Sequence, residues 1–124
     1  ELKQLDINLK ILDLGCGTGE MSPFFQNYNY TGIDIEPEYI NYAKNNYGQD
    51  FRVMDGNNLK FKNNTFDFII VVGVFHHLSD NNCKDIFHEI LRVIKKSGKI
   101  IISSLLSKSS KKKYNFCFAI YIQF

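Results

Sequence analysis

Three glycines at alternate positions lie close to the start of this 124-residue chain. They are Gly15, Gly17 and Gly19, within the segment 13–20 (DLGCGTGE), which ends a short apolar run. Because glycine has no Cβ, its backbone can adopt positive φ and let a ligand approach closely. The pattern therefore predicts a loop that cradles a flat or extended cofactor, with a tight ligand-free turn as the alternative.

The residues around the glycines narrow the class of cofactor. No Gly-Lys-Ser or Gly-Lys-Thr follows, so the loop lacks the signature of nucleoside triphosphate-binding proteins. The dinucleotide fingerprint needs a small residue at the position of Glu20, and a carboxylate there would repel a pyrophosphate. A nicotinamide-dependent oxidoreductase is therefore disfavoured, and it ranks behind the two hypotheses given below.

Two further carboxylates stand where a nucleoside could be recognised. Asp34 follows Gly15 by 19 residues and lies near the end of a second apolar run, where a carboxylate can accept both hydroxyls of a ribose. A solvated helix-capping residue is the alternative for Asp34. Asp55 precedes Gly56 after a third run, where it could meet an adenine amino group, although alone it would indicate no more than a turn.

Two adjacent histidines, His76 and His77, follow a fourth apolar run. An imidazole titrates near neutral pH, so either could remove a proton from an oxygen, nitrogen or carbon nucleophile. The alternative is a capping role, or a place beside the cofactor without proton transfer. For Cys16, burial as a small residue behind the glycines is favoured over a nucleophilic role.

Five short runs rich in apolar residues predict β-strands. Helix-sized segments between such strands imply right-handed crossovers and a mainly parallel sheet with helices on both faces. The predicted fold class is an α/β three-layer sandwich that binds ligands at the carboxyl ends of its strands. The predicted strands cover 10–14, 30–35, 51–54, 66–72 and 99–106.

Two of the predicted helices have recognisable ends. Pro37 suits the first turn of one helix, which Gly48 closes. Ser79, or the aspartate after it, caps the other helix, whose apolar stripe runs through Ile94 to a stop at Gly98. Each helix would then pack on the sheet through one apolar face.

Five segments follow one another in the order and spacing of a known enzyme family: ILDLGCGTGE, TGIDIEPEYI, MDGNNLKF, TFDFIIVVGVFHHL and LRVIKKSGKIIIS. Over about residues 9 to 106 they resemble the class I S-adenosylmethionine-dependent methyltransferases, in particular the small-molecule enzymes with a compact Rossmann-like core. The resemblance implies a Rossmann-like sandwich and S-adenosyl-L-methionine as the cofactor.

The resemblance also implies which residues hold that cofactor. Its methionine part would lie among Asp13 and the loop glycines, and Asp34 would bind its ribose. Ile35 would face the adenine ring, with Asp55 near the adenine amine. The implied cofactor-binding residues are Asp13, Gly15, Cys16, Gly17, Gly19, Asp34, Ile35, Asp55, Gly56, Val72 and Gly73.

The predicted activity is in-line transfer of a methyl group to a small-molecule acceptor. By the resemblance, residues 72–75 would line the methyl-transfer side, and His77 and His76 are the candidate catalytic residues. A sulfonium donor carries no phosphate, so it tolerates the carboxylates of Asp13 and Glu20 near the loop. The alternative is a truncated or non-catalytic cofactor-binding module that needs a partner chain.

Charge and cysteine content bear on partners and location. The net charge is +2, but residues 1–106 hold 11 basic and 13 acidic side chains, so four later lysines supply the excess. A nucleic-acid surface would be basic on the fold itself, so no nucleic-acid partner is expected.

Three distant cysteines form neither a disulfide framework nor a zinc site, and no metal is expected. With this cysteine content a reducing, cytoplasmic setting is the default, and no membrane partner is expected.

The end of the chain departs from the family pattern. After a core domain over 1–106, a basic linker is predicted over 107–113 and an edge strand or tail over 114–124 (YNFCFAIYIQF). Strict alternation in the last segment predicts a half-buried strand, added antiparallel near the fifth strand, and 11 residues are too few for a membrane helix. A membrane-surface or partner-binding tail is the alternative.

The chain has the length of one domain, yet it begins with Glu1 and lacks parts of the family pattern. The helix before the glycines and one terminal strand are not recognisable, so we expect a minimal or incomplete domain. An exposed sheet edge and an uncovered helix face would then favour association, as a homo-oligomer or with a partner chain.

Overall fold

The structure is a computed structural model, in which residues 8–75, 78–105 and 117–123 are described. These residues form strands and helices in an alternating order typical of α/β proteins. The elements are β1 (Lys10–Leu14), a 3₁₀ helix (Ser22–Phe25), β2 (Asn29–Asp34), α1 (Pro37–Asn46), β3 (Asp50–Val53), β4 (Phe66–Val72), α2 (Asp80–Val93), β5 (Ile94–Leu105) and β6 (Cys117–Gln123).

The strands form one sheet in the order β3-β2-β1-β4-β5-β6. Strands β1 to β5 pair in parallel, and β6 pairs antiparallel with β5. Strand order reverses at β1 and β4, where an α/β sheet leaves a crevice for ligands. The α/β fold class and the five parallel strands predicted from the apolar runs are confirmed.

The two faces of the sheet carry separate cores. Leu12 and Ile69 pack with α2 on one face, whereas Ile11 and Ile70 pack with α1 on the other. Successive residues of a strand point to opposite faces, so central strands covered on both sides read as continuous apolar runs. The sheet is the middle layer of a three-layer sandwich, as predicted.

Both α-helices begin where the sequence predicts. Pro37 occupies the first turn of α1, where the missing N–H of proline costs no hydrogen bond. Ser79 is the N-cap of α2, and its Oγ accepts the N–H of Asn82 at 3.3 Å. The cap satisfies one of the unpaired donors at the helix start.

The predicted end of α2 is wrong. The apolar stripe indicated a helix through Ile94 to Gly98, but α2 ends at Val93 and Ile94 is extended, with φ −75° and ψ 140°. The N–H of Thr65 donates to the Val93 carbonyl at 2.8 Å, and Ile94 is paired with Phe66 of β4. Sheet pairing therefore replaces the last helical turn, because tertiary contacts override a weak local preference.

Two connections between parallel strands contain no α-helix. The β1–β2 connection holds the glycines and the 3₁₀ helix, and the β3–β4 connection, residues 54–65, is irregular. Arg92 of α2 donates to the carbonyls of Leu59 and Phe61 at 2.9 and 2.7 Å, and it pairs with Glu89. Side chains of α2 thus support residues 54–65. The predicted helical crossovers are found in the β2–β3 connection, which contains α1, and in the β4–β5 connection, which contains α2.

The C-terminal predictions fall partly within the described residues. β6 lies inside the segment 114–124 and runs antiparallel beside β5, with Ile122 opposite Ile100. The basic linker predicted over 107–113 lies outside the described residues.

Candidate functional site

A cleft of about 580 Å³ opens at the carboxyl ends of the central strands, where strand order reverses. Its volume falls within the roughly 300–1,000 Å³ of small-molecule sites. We call it the glycine-loop cleft. It is lined by Leu14, Gly15, Gly17, Ile33, Asp34, Ile35, Glu36, Tyr39, Met54, Asp55, Gly56, Asn57, Gly73, Val74, Leu78, Asn82 and Ile86.

The glycine loop, residues 15–19, turns sharply at the end of β1. Its three glycines have φ between 55° and 85°, a region that other residues rarely adopt. The N–H groups of Gly15 and Cys16 both donate to the carbonyl of Ile33 at 2.8 Å. The start of the loop is therefore anchored to β2, the strand that ends at Asp34.

Two glycines of the loop are required for different reasons. A Cβ at Gly15 would collide with the side chain of Val74, which follows β4. A Cβ at Gly17 would meet no protein atom within 4 Å, and Gly17 lines the cleft. Gly15 therefore permits close packing within the protein, whereas Gly17 leaves room for a bound molecule.

Asp34 is oriented by the backbone around it. Its Oδ2 accepts the N–H of Gly17 and its Oδ1 accepts the N–H of Glu36, both at 2.9 Å. A carboxylate oxygen has two acceptor positions, so each oxygen keeps one for a further donor. The geometry suits a pair of vicinal hydroxyls, such as those of a ribose.

Asp13 lies beneath the glycine loop and is 2% exposed. The hydroxyl of Tyr30 donates to its Oδ2 at 2.6 Å. Burial raises the pKa of Asp13 from 3.8 to about 6, with the Tyr30 hydrogen bond opposing this rise and the charge of Asp34 adding to it. Burial also raises the pKa of the Tyr30 phenol, which therefore remains a donor.

The thiol of Cys16 is packed against the core on the α1 face of the sheet. Burial raises its pKa to about 12, and the negative charges of Asp13 and Asp34 contribute to the rise. The thiolate is the reactive form of cysteine, so burial disfavours a nucleophilic role for this thiol. A packing role, the favoured interpretation of the sequence, agrees with this environment.

Apolar and polar groups are combined on the side of the cleft formed by β2, α1 and the turn after β3. Ile35 and Tyr39 line the cleft but are 61% and 48% exposed, as expected of a surface that receives a ring. Asp55 accepts the N–H of Asn57 at 2.9 Å and so forms a tight turn. The buried Oδ1 of Asn57 has no hydrogen-bond donor among the described residues. A buried acceptor of this kind calls for a partner, and Asn57 lines the cleft.

The cleft brings together most of the predicted cofactor-binding residues. Those in its lining are Gly15, Gly17, Asp34, Ile35, Asp55, Gly56 and Gly73. The remaining ones, which the described lining does not include, are Asp13, Cys16, Gly19 and Val72.

Three other residues considered in the sequence do not belong to the described lining. Glu20 is exposed at the surface beyond the glycine loop. The candidate catalytic residues, His77 and His76, lie outside the described residues.

Several lining residues were not predicted. Glu36 follows Asp34 by two residues, and this acidic pair at a strand end was an available signal. Asn57 and Asn82 carry no such signal, because this chain is rich in asparagine. Tyr30, beneath the lining, could have been inferred from strand alternation, which puts it on the same face as its sheet neighbours in the α1 core.

The chemistry of the cleft fits S-adenosylmethionine better than a dinucleotide. Among its described lining residues are three carboxylates, Asp34, Glu36 and Asp55, and no lysine or arginine. Such a surface repels a pyrophosphate and attracts a sulfonium and an ammonium group. The open space at Gly17 and the free acceptor positions of Asp34 complete the fit.

Metal-ligand groups and membrane-spanning helices are both absent from the part of the chain that the structure describes. There, no three His, Cys, Asp or Glu side chains are grouped closely enough to hold a metal ion. None of the described helices has the length and apolar character needed to cross a membrane.

The methyltransferase-domain family matches residues 12–102 of the chain. The match includes the glycine loop and every lining residue of the cleft. The chain therefore belongs to this family of class I S-adenosylmethionine-dependent methyltransferases, and the resemblance seen in the sequence is confirmed. The cofactor of the domain is S-adenosyl-L-methionine.

Particular relatives differ in their substrates. Demethylmenaquinone methyltransferase of Thermotoga maritima is 29% identical over 119 residues, which cover 92% of this chain and 51% of that protein. The tRNA (carboxymethyluridine(34)-5-O)-methyltransferase of Arabidopsis thaliana is 33% identical over 103 residues, which cover 82% of this chain and 25% of that protein. Family membership alone is therefore compatible with a small molecule or a tRNA as the methyl acceptor.

A solved structure shows the same fold. The S-adenosylmethionine-dependent methyltransferase of Methanosarcina mazei is 27% identical and superposes with a TM-score of 0.73, covering 80% of this chain and 53% of the other. The chain spans about half or less of the length of these relatives.

Proposed function

We propose that this chain is the cofactor-binding part of a methyltransferase that moves a methyl group from S-adenosylmethionine to a small molecule. The observation that carries the proposal is the glycine-loop cleft, with its oriented Asp34 and its acidic lining. Methyl transfer needs alignment and exclusion of water more than an elaborate set of catalytic groups. The cleft supplies the alignment, through the glycine loop and the oriented Asp34 carboxylate.

The proposed contacts follow from the geometry of the cleft. Gly15 and Gly17 let the methionine part lie along the loop, and Asp34 accepts the two ribose hydroxyls. Ile35 packs on the adenine ring. The turn that begins at Asp55 meets the adenine amine.

The remaining predicted residues act around this contact surface. Asp13, Cys16 and Gly19 support the loop from below, and Val72 and Gly73 border the side of methyl transfer. The bound cofactor supplies a methyl group that is already activated by its sulfonium. We assign to His77 or His76 the removal of the proton that the acceptor loses, since an imidazole can take it near neutral pH.

A small-molecule acceptor is favoured by charge. A tRNA acceptor needs a basic surface to hold its phosphates. Residues 1–106, which include the whole described cleft, carry 11 basic and 13 acidic side chains, so this part of the chain lacks the basic excess that would hold a phosphate backbone. The relative from Thermotoga maritima has a name that points to a small quinone-related acceptor.

A second candidate is a cofactor-binding module that transfers a methyl group only with a partner chain. The chain spans about half of its similar proteins, so residues that select an acceptor could come from elsewhere. Binding of the cofactor without transfer, together with activity recovered on adding another protein, would favour this candidate.

The cofactor part is tested by calorimetric titration with S-adenosylmethionine. We expect binding by the parent chain, and at least about tenfold weaker binding by Asp34→Ala, which loses charge-assisted hydrogen bonds to the ribose. Asp85→Ala is the matched control, because Asp85 is exposed on α2 and outside the cleft. No measurable heat with the parent, or equal affinity of Asp34→Ala and the parent, would refute the proposal.

The acceptor is tested by mass spectrometry. The chain is incubated with the cofactor and a panel of phenols, quinols, amines and bulk tRNA, and products are examined for the mass gain of one methyl group. We expect methylation of a small molecule. Methylation of tRNA alone would refute the small-molecule acceptor and would indicate a nucleic-acid acceptor.

A further inference from the structure

A buried hydrogen-bonded pair, Asp13 and Tyr30, lies beneath the glycine loop. Asp13 and Tyr30 are 2% and 4% exposed, and the Tyr30 hydroxyl donates to Asp13 Oδ2 at 2.6 Å. We propose that Tyr30 is a positioning residue, whose hydroxyl keeps the Asp13 carboxylate ionised beneath the loop and thereby sets the pH below which cofactor affinity falls. The inference rests on cofactor binding and not on methyl transfer.

The sheet register places this pair directly under the loop. Asp13 of β1 lies beside Gly32 of β2, and Tyr30 is two residues earlier on the same face of β2. A Cβ at Gly32 would lie 3.0 Å from the sulfur of Cys16, so the loop residue Cys16 covers the same face. Tyr30, Asp13 and the loop residue Cys16 therefore lie on the same face of the sheet, with Asp13 between Tyr30 and the loop.

Packing, and not the hydrogen bond alone, holds the Tyr30 ring. The ring stacks on Phe25 with centroids 6.0 Å apart and meets the edge of Phe51 at 5.8 Å. Aromatic pairs at these distances contribute to the core independently of the hydroxyl. Removing the hydroxyl therefore changes the partner of Asp13 without removing the ring.

No positive charge among the described residues compensates Asp13. The groups that act on it are Tyr30 and Asp34, while α1 presents the apolar Ile40 and Ala43 to this core and the thiol of Cys16 lies above. An ionised carboxylate in this low-dielectric layer attracts the sulfonium and ammonium groups of the cofactor. Protonation removes that attraction.

The direction of the pH effect follows from the protonated and ionised forms of Asp13. The pKa of Asp13 is about 6 with the Tyr30 hydrogen bond in place, and this bond lowers it. Affinity should therefore fall as pH decreases through about 6. Without the hydroxyl the pKa of Asp13 rises further, so the fall should begin at a higher pH.

The test is the pH profile of binding by Tyr30→Phe. The dissociation constant of S-adenosylmethionine is measured by calorimetry from about pH 5.5 to about pH 8.5. If the hydrogen bond is worth about one pKa unit, Tyr30→Phe binds about fivefold more weakly than the parent near pH 6 and equally well at the alkaline end. Tyr28→Phe is the matched control, because Tyr28 also contacts the Phe25 ring, at 6.4 Å.

A second variant and a second readout separate positioning from a structural role. Asp13→Asn should bind weakly at every pH, and an NMR titration of the Asp13 carboxyl should give a higher pKa in Tyr30→Phe than in the parent. Identical pH profiles for Tyr30→Phe and the parent, or equal weakening at all pH values, would overturn the inference alone. Absence of binding by the parent at any pH would overturn the cofactor proposal and this inference together.

Discussion

At the scale of single residues, Asp13 combines a cost to stability with the role that we propose for it beneath the glycine loop. Its pKa of about 6 lies above the 3.8 of an unfolded aspartate because the side chain is buried. The folded state therefore holds a proton more tightly than the unfolded state, and the free energy of unfolding falls as pH rises from 3.8 to about 6. Perturbed carboxylates cluster at functional sites, and this is the reason for proposing a role in cofactor binding for Asp13.

Asp13→Asn should stabilise the fold at neutral pH. The amide keeps a carbonyl that can accept the Tyr30 hydroxyl, and it removes an ionisation cost of up to about 3 kcal/mol. Urea unfolding at pH 7 should show a higher free energy of unfolding for Asp13→Asn than for the parent. The difference should vanish near pH 4, where the folded parent is already protonated. A variant that is less stable than the parent at both pH values would contradict this account.

At the scale of elements, α2 supports a connection that lacks a helix of its own. Arg92 and Glu89 bind both polar backbone groups of Leu59, which lies within residues 54–65. The Leu59 N–H donates to Glu89 at 2.7 Å, and the Leu59 carbonyl accepts from Arg92. The Arg92 guanidinium holds the pKa of Glu89 below its usual range. The same connection begins with the Asp55 turn, so α2 also shapes the wall of the cleft.

Arg92→Lys should destabilise the fold by about 2 kcal/mol, because an ammonium cannot reach the two carbonyls and the carboxylate together. Amide hydrogen exchange at Leu59 should become faster. Arg52→Lys is the control, since Arg52 forms an exposed ion pair with Asp50 that contributes at most about 1 kcal/mol. Equal melting temperatures for Arg92→Lys and Arg52→Lys would show that this network does not hold the connection.

At the scale of the whole molecule, the sheet order leaves β3 at one edge. β3 has only four residues, and Val53 at its end is 51% exposed. Phe24, in the β1–β2 connection, is 76% exposed. Unpaired strand edges and exposed apolar side chains favour association with another chain.

The isolated 124-residue chain should therefore be marginally stable or self-associating. Size-exclusion chromatography with light scattering, over a range of concentrations, should show species larger than a monomer, and thermal melting should depend on concentration. A monomer that melts well above ~65 °C, beyond the usual range of mesophilic domains, would contradict this expectation.

Local patterns were sufficient for most of the fold. Apolar runs predicted β1 to β4 to within one residue, because a strand covered on both faces needs little beyond its own composition, whereas β5 begins at Ile94, five residues before its predicted start. The segment from Gly15 to Gly19 and the spacing to Asp34 predicted residues that the structure brings together at one cleft. Turns with positive φ and a carboxylate at a strand end are local requirements.

The sequence by itself thus determined the fold class, the family and the residues at the loop and strand ends. Only the tertiary structure decided the end of α2 at Val93, the hydrogen bond of Tyr30 to Asp13, and the place of Asn57 in the cleft. Each of these depends on atoms that are distant along the chain. Composition and spacing report what a segment prefers, whereas pairing across the sheet and burial beneath a loop exist only once the chain has folded.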